Sequence, residues 1–397
     1  MQKTKRSLKI VLAILVLIVA SCSNEFDKRN TFGNDLQLLQ ENATPIVLKN
    51  GSKQLIVSAE YQGRVLTSTS KGLEGLSYGW FNRKLLTGGK SKEKISSMGG
   101  ESRIWFGPDM GPNTIFFDPL YAPEKLEHGT PKDLNTVVFN TLEQTSTSAK
   151  FGNKLNIENF KGFKFKIDVT RTISLLDSIG ESLGVKLPAS IAAVAYDVTT
   201  TMKNIGTQDW SKETGLLSVW DLGCYHPTPN TTVIIPTKGA MKEATVYFSE
   251  LDSTRINIKN NVLFYKADGA YLNKIGVLPA HTLPFFGSYS PELNLLTIVK
   301  FTFDGNTSYV NSHPINTENE YRGDVTNVFN DGIIGDVGPF GPFYELETSS
   351  EAQELKIGAT IKHSQQVYHV EGTKENLDVI VKSIFGISIK EVTNALP

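Results

Sequence analysis

The chain has 397 residues, two of them cysteine, and a formal net charge of −1. Without Lys3, Lys5, Arg6 and Lys9 the remainder carries −5, which excludes the basic footprint that nucleic acid requires. The composition is that of a globular protein with enough length for a large core, in one domain or two. The sequence has no phosphate loop, dinucleotide fingerprint, HExxH or CxxC, so no cofactor and no dedicated metal cage is expected.

The first element is a targeting segment. Its basic start is followed by the apolar run Ile10–Ala20, too short for a comfortable membrane span. The run ends in Val19-Ala20-Ser21-Cys22, which resembles a bacterial lipobox; an ordinary signal peptide with a coincidental Cys is the alternative. The resemblance implies a signal peptide over 1–21, lipidation of Cys22, and a lipid-anchored protein of the bacterial cell envelope with the membrane as a partner. Residues 22–34 are polar and aperiodic and read as a tether. Cys224 then has no partner for an intramolecular disulfide.

Residues 35–397 read as one large domain. Asp35–Gln40 has the pattern of a short helix. From residue 44 the chain runs in short apolar or alternating stretches punctuated by Gly, Asn, Asp and Pro. These are Pro45–Leu48, Gln54–Ala59, Arg64–Ser68, Thr136–Phe139, Phe163–Leu175, Ala192–Thr201, Leu216–Trp220, Thr231–Pro236, Ala244–Phe248, Asn261–Lys266 and Leu295–Phe303. Their Val, Ile, Thr, Phe and Tyr content suits half-buried strands, and many short strands with turns between them predict an all-β sandwich or barrel. No fixed period appears, which argues against a propeller. Leu176–Leu183 reads as a short helix. Glu375–Phe385, with Leu377, Ile380, Val381 and Ile384 at helical spacing, Thr373 as N-cap and Gly386 as stop, reads as the clearest helix.

Between the last long run and that helix lies the most informative stretch, Gly341–Val370. Phe343–Thr348 reads as a strand, so Glu345 and Glu347 share one face and Tyr344, Leu346 and Thr348 take the other. Two carboxylates on one face repel unless one is tuned or paired. Gly358 marks a turn, and the next strand carries His363 and His369.

This stretch resembles the end of the galactose mutarotase (aldose 1-epimerase) superfamily, in which a Leu-Glu-Thr strand supplies the catalytic carboxylate ahead of a glycine turn and a strand opening with His. Leu346-Glu347-Thr348, Gly358 and His363 match in that order. The segment 99–117, GGESRIWFGPDMGPNTIFF, is similar to the superfamily's first sugar-contacting block, with Arg103 at the Arg position. The resemblance implies a large antiparallel β-supersandwich whose concave face binds carbohydrate, with Glu347 as the base. It departs at mid-chain. Where mutarotases carry the His that acts as general acid, this sequence has Trp220-Asp221, with His226 following before a proline.

Anomer interconversion needs a base at the anomeric hydroxyl and an acid at the ring oxygen. Glu347 is the candidate base, and His226 and Asp221 are candidates for the acid. Arg103 offers forked donors and Trp105, two residues on, an apolar platform; a structural ion pair and a core ring are their bland readings. Asp109 lies in the glycine-bounded loop that follows. Trp220 and Glu345 join the candidate substrate-binding set, although solvent exposure is the favoured reading of Glu345. Asn330 also joins it, against plain turn chemistry around Asn330-Asp331-Gly332. His363 reads as structural. Three functions compete: an aldose 1-epimerase-like isomerase, a non-catalytic carbohydrate-binding lipoprotein, and a hydrolase or lyase acting on a sugar polymer.

Overall fold

The computed structural model describes residues 31–89, 91, 93–117, 129–313, 319–333 and 339–397; Cys22 lies outside them. The strands follow in chain order as β1 (Ile46–Asn50), β2 (Lys53–Ser58), β3 (Arg64–Thr69), β4 (Arg103–Gly107), β5 (Asn140–Gln144), β6 (Ser148–Glu158), β7 (Lys164–Leu175) and β8 (Ala192–Asn204). Then come β9 (Ser218–Tyr225), β10 (Thr232–Pro236), β11 (Thr245–Val246), β12 (Ile256–Lys259), β13 (Val262–Lys266), β14 (Asn273–Val277) and β15 (Phe285–Ser290). The last are β16 (Leu295–Phe301), β17 (Thr326–Asn330), β18 (Tyr344–Ser349) and β19 (Thr360–Glu371).

They form a three-stranded sheet β1-β2-β3, a ten-stranded sheet β12-β13-β10-β15-β16-β19-β8-β7-β6-β5 and a six-stranded sheet β11-β14-β17-β18-β9-β4. Every pairing between these strands is antiparallel. The fold is therefore an all-β antiparallel sandwich. Strand β7 shows why: its sequence alternates polar and apolar, and Phe165, Ile167, Val169 and Ile173 are buried along one face.

One face of the ten-stranded sheet packs on the six-stranded sheet. Thr348 on β18 bonds His363 and Gln365 on β19 at 2.8 and 2.9 Å, and Tyr344 on β18 bonds Ser288 on β15 at 2.8 Å. The other face carries the helix Lys374–Phe385, whose Leu377, Ile380, Val381 and Phe385 pack with Ile298, Tyr368 and Val370. Thr373 caps this helix and Gly386, at φ +71, ends it. It is the longest helix among the described residues. The other expected helices appear as Phe32–Asn42 and Ile179–Leu183. The run Thr136–Phe139 is not a strand. Pro131 opens a helical turn over Lys132–Thr136, and the strand starts only at Asn140.

The two sheets are also tied by charge. Arg171 on β7 donates to Asp221 on β9 at 2.7 Å, and to Ser102 and Thr200, with both ionic side chains essentially out of solvent. Removing one member of such a pair strands the other charge in low dielectric. Asp221→Ala is therefore expected to lower the unfolding free energy in urea by about 3–5 kcal/mol. The double change Asp221→Leu with Arg171→Met should cost less than the single one.

Candidate functional site

The alternation along β18 sends Tyr344, Leu346 and Thr348 toward the ten-stranded sheet and Glu345, Glu347 and Ser349 to the opposite, outer face of the six-stranded sheet. Register fixes what stands beside them. On β9, Leu222 lies opposite Glu347, Cys224 opposite Glu345, and Trp220 opposite Ser349. On β4, Arg103 lies opposite Leu222 and Trp105 opposite Trp220. On the other side Asn327 of β17 faces Glu347 and Phe329 faces Glu345, with Lys274 of β14 opposite Phe329. Arg103, Trp105, Trp220, Glu345 and Glu347 thus share one face. The backbones of Arg103 and Glu347 are two strand spacings apart, roughly 10 Å.

Both carboxylates are buried, and each has a cation. Arg103 Nη2 donates to Glu345 Oε1 at 2.7 Å, and its Nη1 donates to the carbonyl of Ser96 at 2.7 Å. The Cys224 thiol also donates to Glu345 Oε1, at 3.0 Å. Lys274 Nζ donates to Glu347 Oε2 at 2.9 Å, and Trp220 Nε1 donates to the same oxygen at 3.0 Å. Glu347 Oε1 is buried without a hydrogen-bond partner. Burial pushes the Glu347 carboxyl up to about 7; Lys274 pulls against this and the neighbouring Glu345 charge adds to it.

A second acidic group borders this cluster. Tyr247, whose ring lies 5.4 Å from Lys274 Nζ, donates its hydroxyl to Asp324 Oδ2 at 2.5 Å, and Thr245 donates to Oδ1 at 2.9 Å. Burial raises the Asp324 carboxyl above its ordinary range, although both hydrogen bonds act the other way. Gly276 on β14 makes this possible. A Cβ there would overlap the Asp324 carboxylate and the Asn327 amide, so only glycine lets them close over the strand.

The rings on this face are covered. Arg103 lies 4.9 Å from the Trp105 ring and Phe116 stacks on that ring at 5.0 Å. Lys274 Nζ sits 4.2 Å above Trp220. The recess lined by Trp220, Tyr247, Asp324, Asn327 and Ser349 has about 10 Å³, room for about one water.

Three sequence candidates fall elsewhere. Asp221 sits one residue from Trp220 and so faces the opposite way, where it is held by Arg171 and by Ser102 at 2.6 Å. Asn330 also points inward. It accepts from the Gly269 amide at 2.8 Å and donates to the Tyr271 carbonyl at 2.9 Å, which is the turn role. His226 lies beyond the end of β9 and lines a different cavity with Tyr78, Tyr225, Thr297 and Tyr344. Burial pushes its pKa down to about 3, so it carries no imidazolium proton at neutral pH. Glu345 is buried and paired rather than solvated. Asp109 is partly buried in the loop after β4; its amide donates to Ser312 at 2.9 Å, beside the recess. His363 faces inward on Thr348. Among the described residues no cluster of three or more His, Cys, Asp or Glu could hold a metal ion. Sequence reading missed Lys274, Tyr247 and Asp324. The only signal for Lys274 was a lysine within the short apolar run Asn273–Val277.

Glu347 should titrate near 7 when followed by carboxyl infrared or carbon-13 resonances, and Glu345→Gln should lower that value by removing the adjacent charge. The folded chain binds this proton more tightly than the unfolded one. The group's contribution to stability is therefore complete below about 4.5 and lost as pH rises through about 7. Urea midpoints of the natural chain should fall across that window relative to Glu347→Gln. A flat difference would contradict the assignment.

Known structures with a similar fold cover most of the chain at low identity. One is a candidate aldose 1-epimerase from Escherichia coli K12, at 10% identity and TM-score 0.49, matching 83% of this chain and 99% of that one. Another is a galactose mutarotase-like protein from Lactobacillus casei, at 11% identity and TM-score 0.46, matching 82% and 100%. A third is an aldose epimerase homologue from C. elegans, at 9% identity and TM-score 0.45, matching 83% and 98%. These values describe a likeness of fold and carry nothing about activity. No curated protein matches the chain. A family model described as a family of unknown function, DUF6786, matches residues 30–396, and the chain belongs to that family.

Proposed function

We propose that this is a carbohydrate-recognising protein and an aldose 1-epimerase-like sugar isomerase, with Glu347 as its base. The observation that carries the reading is the state of one carboxyl. Glu347 is held near a pKa of about 7, and its Oε1 is buried with no partner. A carboxyl so placed takes and returns a proton at neutral pH, where general acid–base catalysis is most effective. Trp220 holds the other oxygen, and Lys274 shares it while the face is closed.

In this reading Glu347 takes the proton of the anomeric hydroxyl as the ring bond breaks. The ring oxygen is protonated from the Tyr247–Asp324 pair, which borders the Glu347 cluster at Lys274. Rotation about the opened bond and return of both protons give the other anomer. The sugar enters when Lys274, on its flexible stem, leaves the Trp220 ring and exposes an apolar platform. Asp221 and His226, at the mid-chain place of the expected acid, both lie away from Glu347, and this favours a second reading, a carbohydrate-binding protein without turnover.

Glu347→Gln preserves shape and hydrogen bonding but cannot accept the proton. Sugar binding by calorimetry should persist, while anomerisation by polarimetry should fall by about 10²–10⁴-fold. In the natural protein the rate should rise with pH through about 7, because the ionised base is the active form. Binding with no acceleration for any bound sugar would leave the second reading.

We also propose that the chain is lipid-anchored in the bacterial envelope through Cys22, on the strength of Val19-Ala20-Ser21-Cys22. Native protein should fractionate with membranes, and Cys22→Ala should release it or block processing. Fully soluble native protein would remove the anchor.

A further inference from the structure

Arg64 opens β3 and is 1% exposed. It sits at the joint between the three-stranded and six-stranded sheets. There Val65 and Ser102 exchange backbone hydrogen bonds at 3.1 and 3.3 Å, and the Cys224 amide of β9 donates to the Gly100 carbonyl at 2.9 Å. Gly100, at φ +108, lies against the arginine stem. A Cβ on it would come within 2.9 Å of Arg64 Cδ, so glycine is what lets the two segments close.

The guanidinium is only partly used. Nη1 donates to the Gly99 carbonyl at 2.8 Å, whereas Nε and Nη2 are buried without a hydrogen-bond partner. These two nitrogens form one edge of the guanidinium plane, the fork that grips an anion. The charge has no partner either. Arg171 and Lys274, the other Lys or Arg side chains buried among the described residues, hold Asp221 and Glu347. Arg64 makes no ion pair among the described residues. Burial first, and then the like charge of Arg103 with Arg171 adding, pushes its pKa down to about 9, so it still carries its proton at neutral pH. Arg103 shares the deficit in part, since its Nε is also buried without a partner. A buried charge without a counter-charge is strongly destabilising, and folded chains pair it.

We propose that a monatomic anion, chloride in ordinary media, binds on the Nε–Nη2 edge of Arg64 and pins the joint between the two sheets. Enclosure sets the size. Tyr61, Gly99, Gly100 and Cys224 beside the arginine are all buried, which suits a single atom and excludes a sugar acid or a nucleotide. The anion neutralises Arg64 and weakens its repulsion of Arg103, which leaves Arg103 to Glu345. The site stands independently of the sugar-directed reading of Glu347.

The test follows urea unfolding of the mature chain at fixed ionic strength while sodium chloride replaces sodium gluconate. The folded-to-unfolded ratio should rise with chloride, by about tenfold where chloride is about ten times its dissociation constant. Arg64→Met removes both fork and charge and should abolish the rise; in gluconate alone it should be at least as stable as the natural chain. Arg64→Lys keeps the charge without the fork and should weaken chloride binding by about tenfold. In crystals of the natural chain grown in bromide, anomalous scattering should place one bromide within hydrogen-bond reach of Arg64 Nε and Nη2, a measurement that needs no variant. Midpoints indifferent to chloride, an equal response in the natural chain and both variants, or a water on that edge in place of bromide would each overturn the proposal. A bromide peak without any chloride response would mark an adventitious ion only, and would overturn it as well.

Discussion

The period-two alternation of a single strand is the constraint on which the rest of the molecule depends. Strand β18 builds the inter-sheet core with Tyr344, Leu346 and Thr348, and builds the candidate site with Glu345 and Glu347. Neither set can move without the other. A shift of one residue in its pairing would carry two carboxylates into the sandwich interior and three core side chains out of it. The hydroxyls of Tyr344 and Thr348 hold that register from the ten-stranded side, and the ion pairs of Glu345 and Glu347 hold it from the other.

Charge on the outer face is balanced locally. Glu345 has Arg103 and Glu347 has Lys274, and each cation leans on an indole, Trp105 or Trp220. Buried pairs of this kind contribute little net stability compared with well-packed apolar residues, because desolvation offsets much of the attraction. Their effect is placement. Burial that would otherwise only cost free energy raises the Glu347 carboxyl into the range where it exchanges protons, and Lys274 keeps it from rising further. Asp324 repeats the arrangement with a hydroxyl, Tyr247, in place of a cation.

What the sequence made legible follows from which rules are local. Alternation put Glu345 and Glu347 on one face and Arg103 and Trp105 on another strand's single face, and the register joins the two. The terminal helix and its Thr373 and Gly386 ends were legible from spacing and capping chemistry. Asp221 was a candidate because it stands in the chain where the mutarotase resemblance expects the acid, and the alternation of β9 turns it inward onto Arg171, away from Glu347. Glu345 looked exposed because its partner Arg103 lies 242 residues away. Lys274 was invisible for the same reason: strand order β14-β17-β18, which no local pattern encodes, is what brings it to Glu347. His226 sits near the expected place in the chain, but the end of β9 turns it into a different cavity.

Cys224 stands opposite Glu345 on the neighbouring strand β9, buried, with its thiol on Glu345. Burial raises its pKa well above the ordinary thiol value, and the Glu345 charge adds to this. The thiolate needed for alkylation or oxidation is thus withheld for as long as the outer face stays closed. Its reaction rate with an added electrophile becomes a clock for how often that face opens, read without any sugar and without altering a residue of the site.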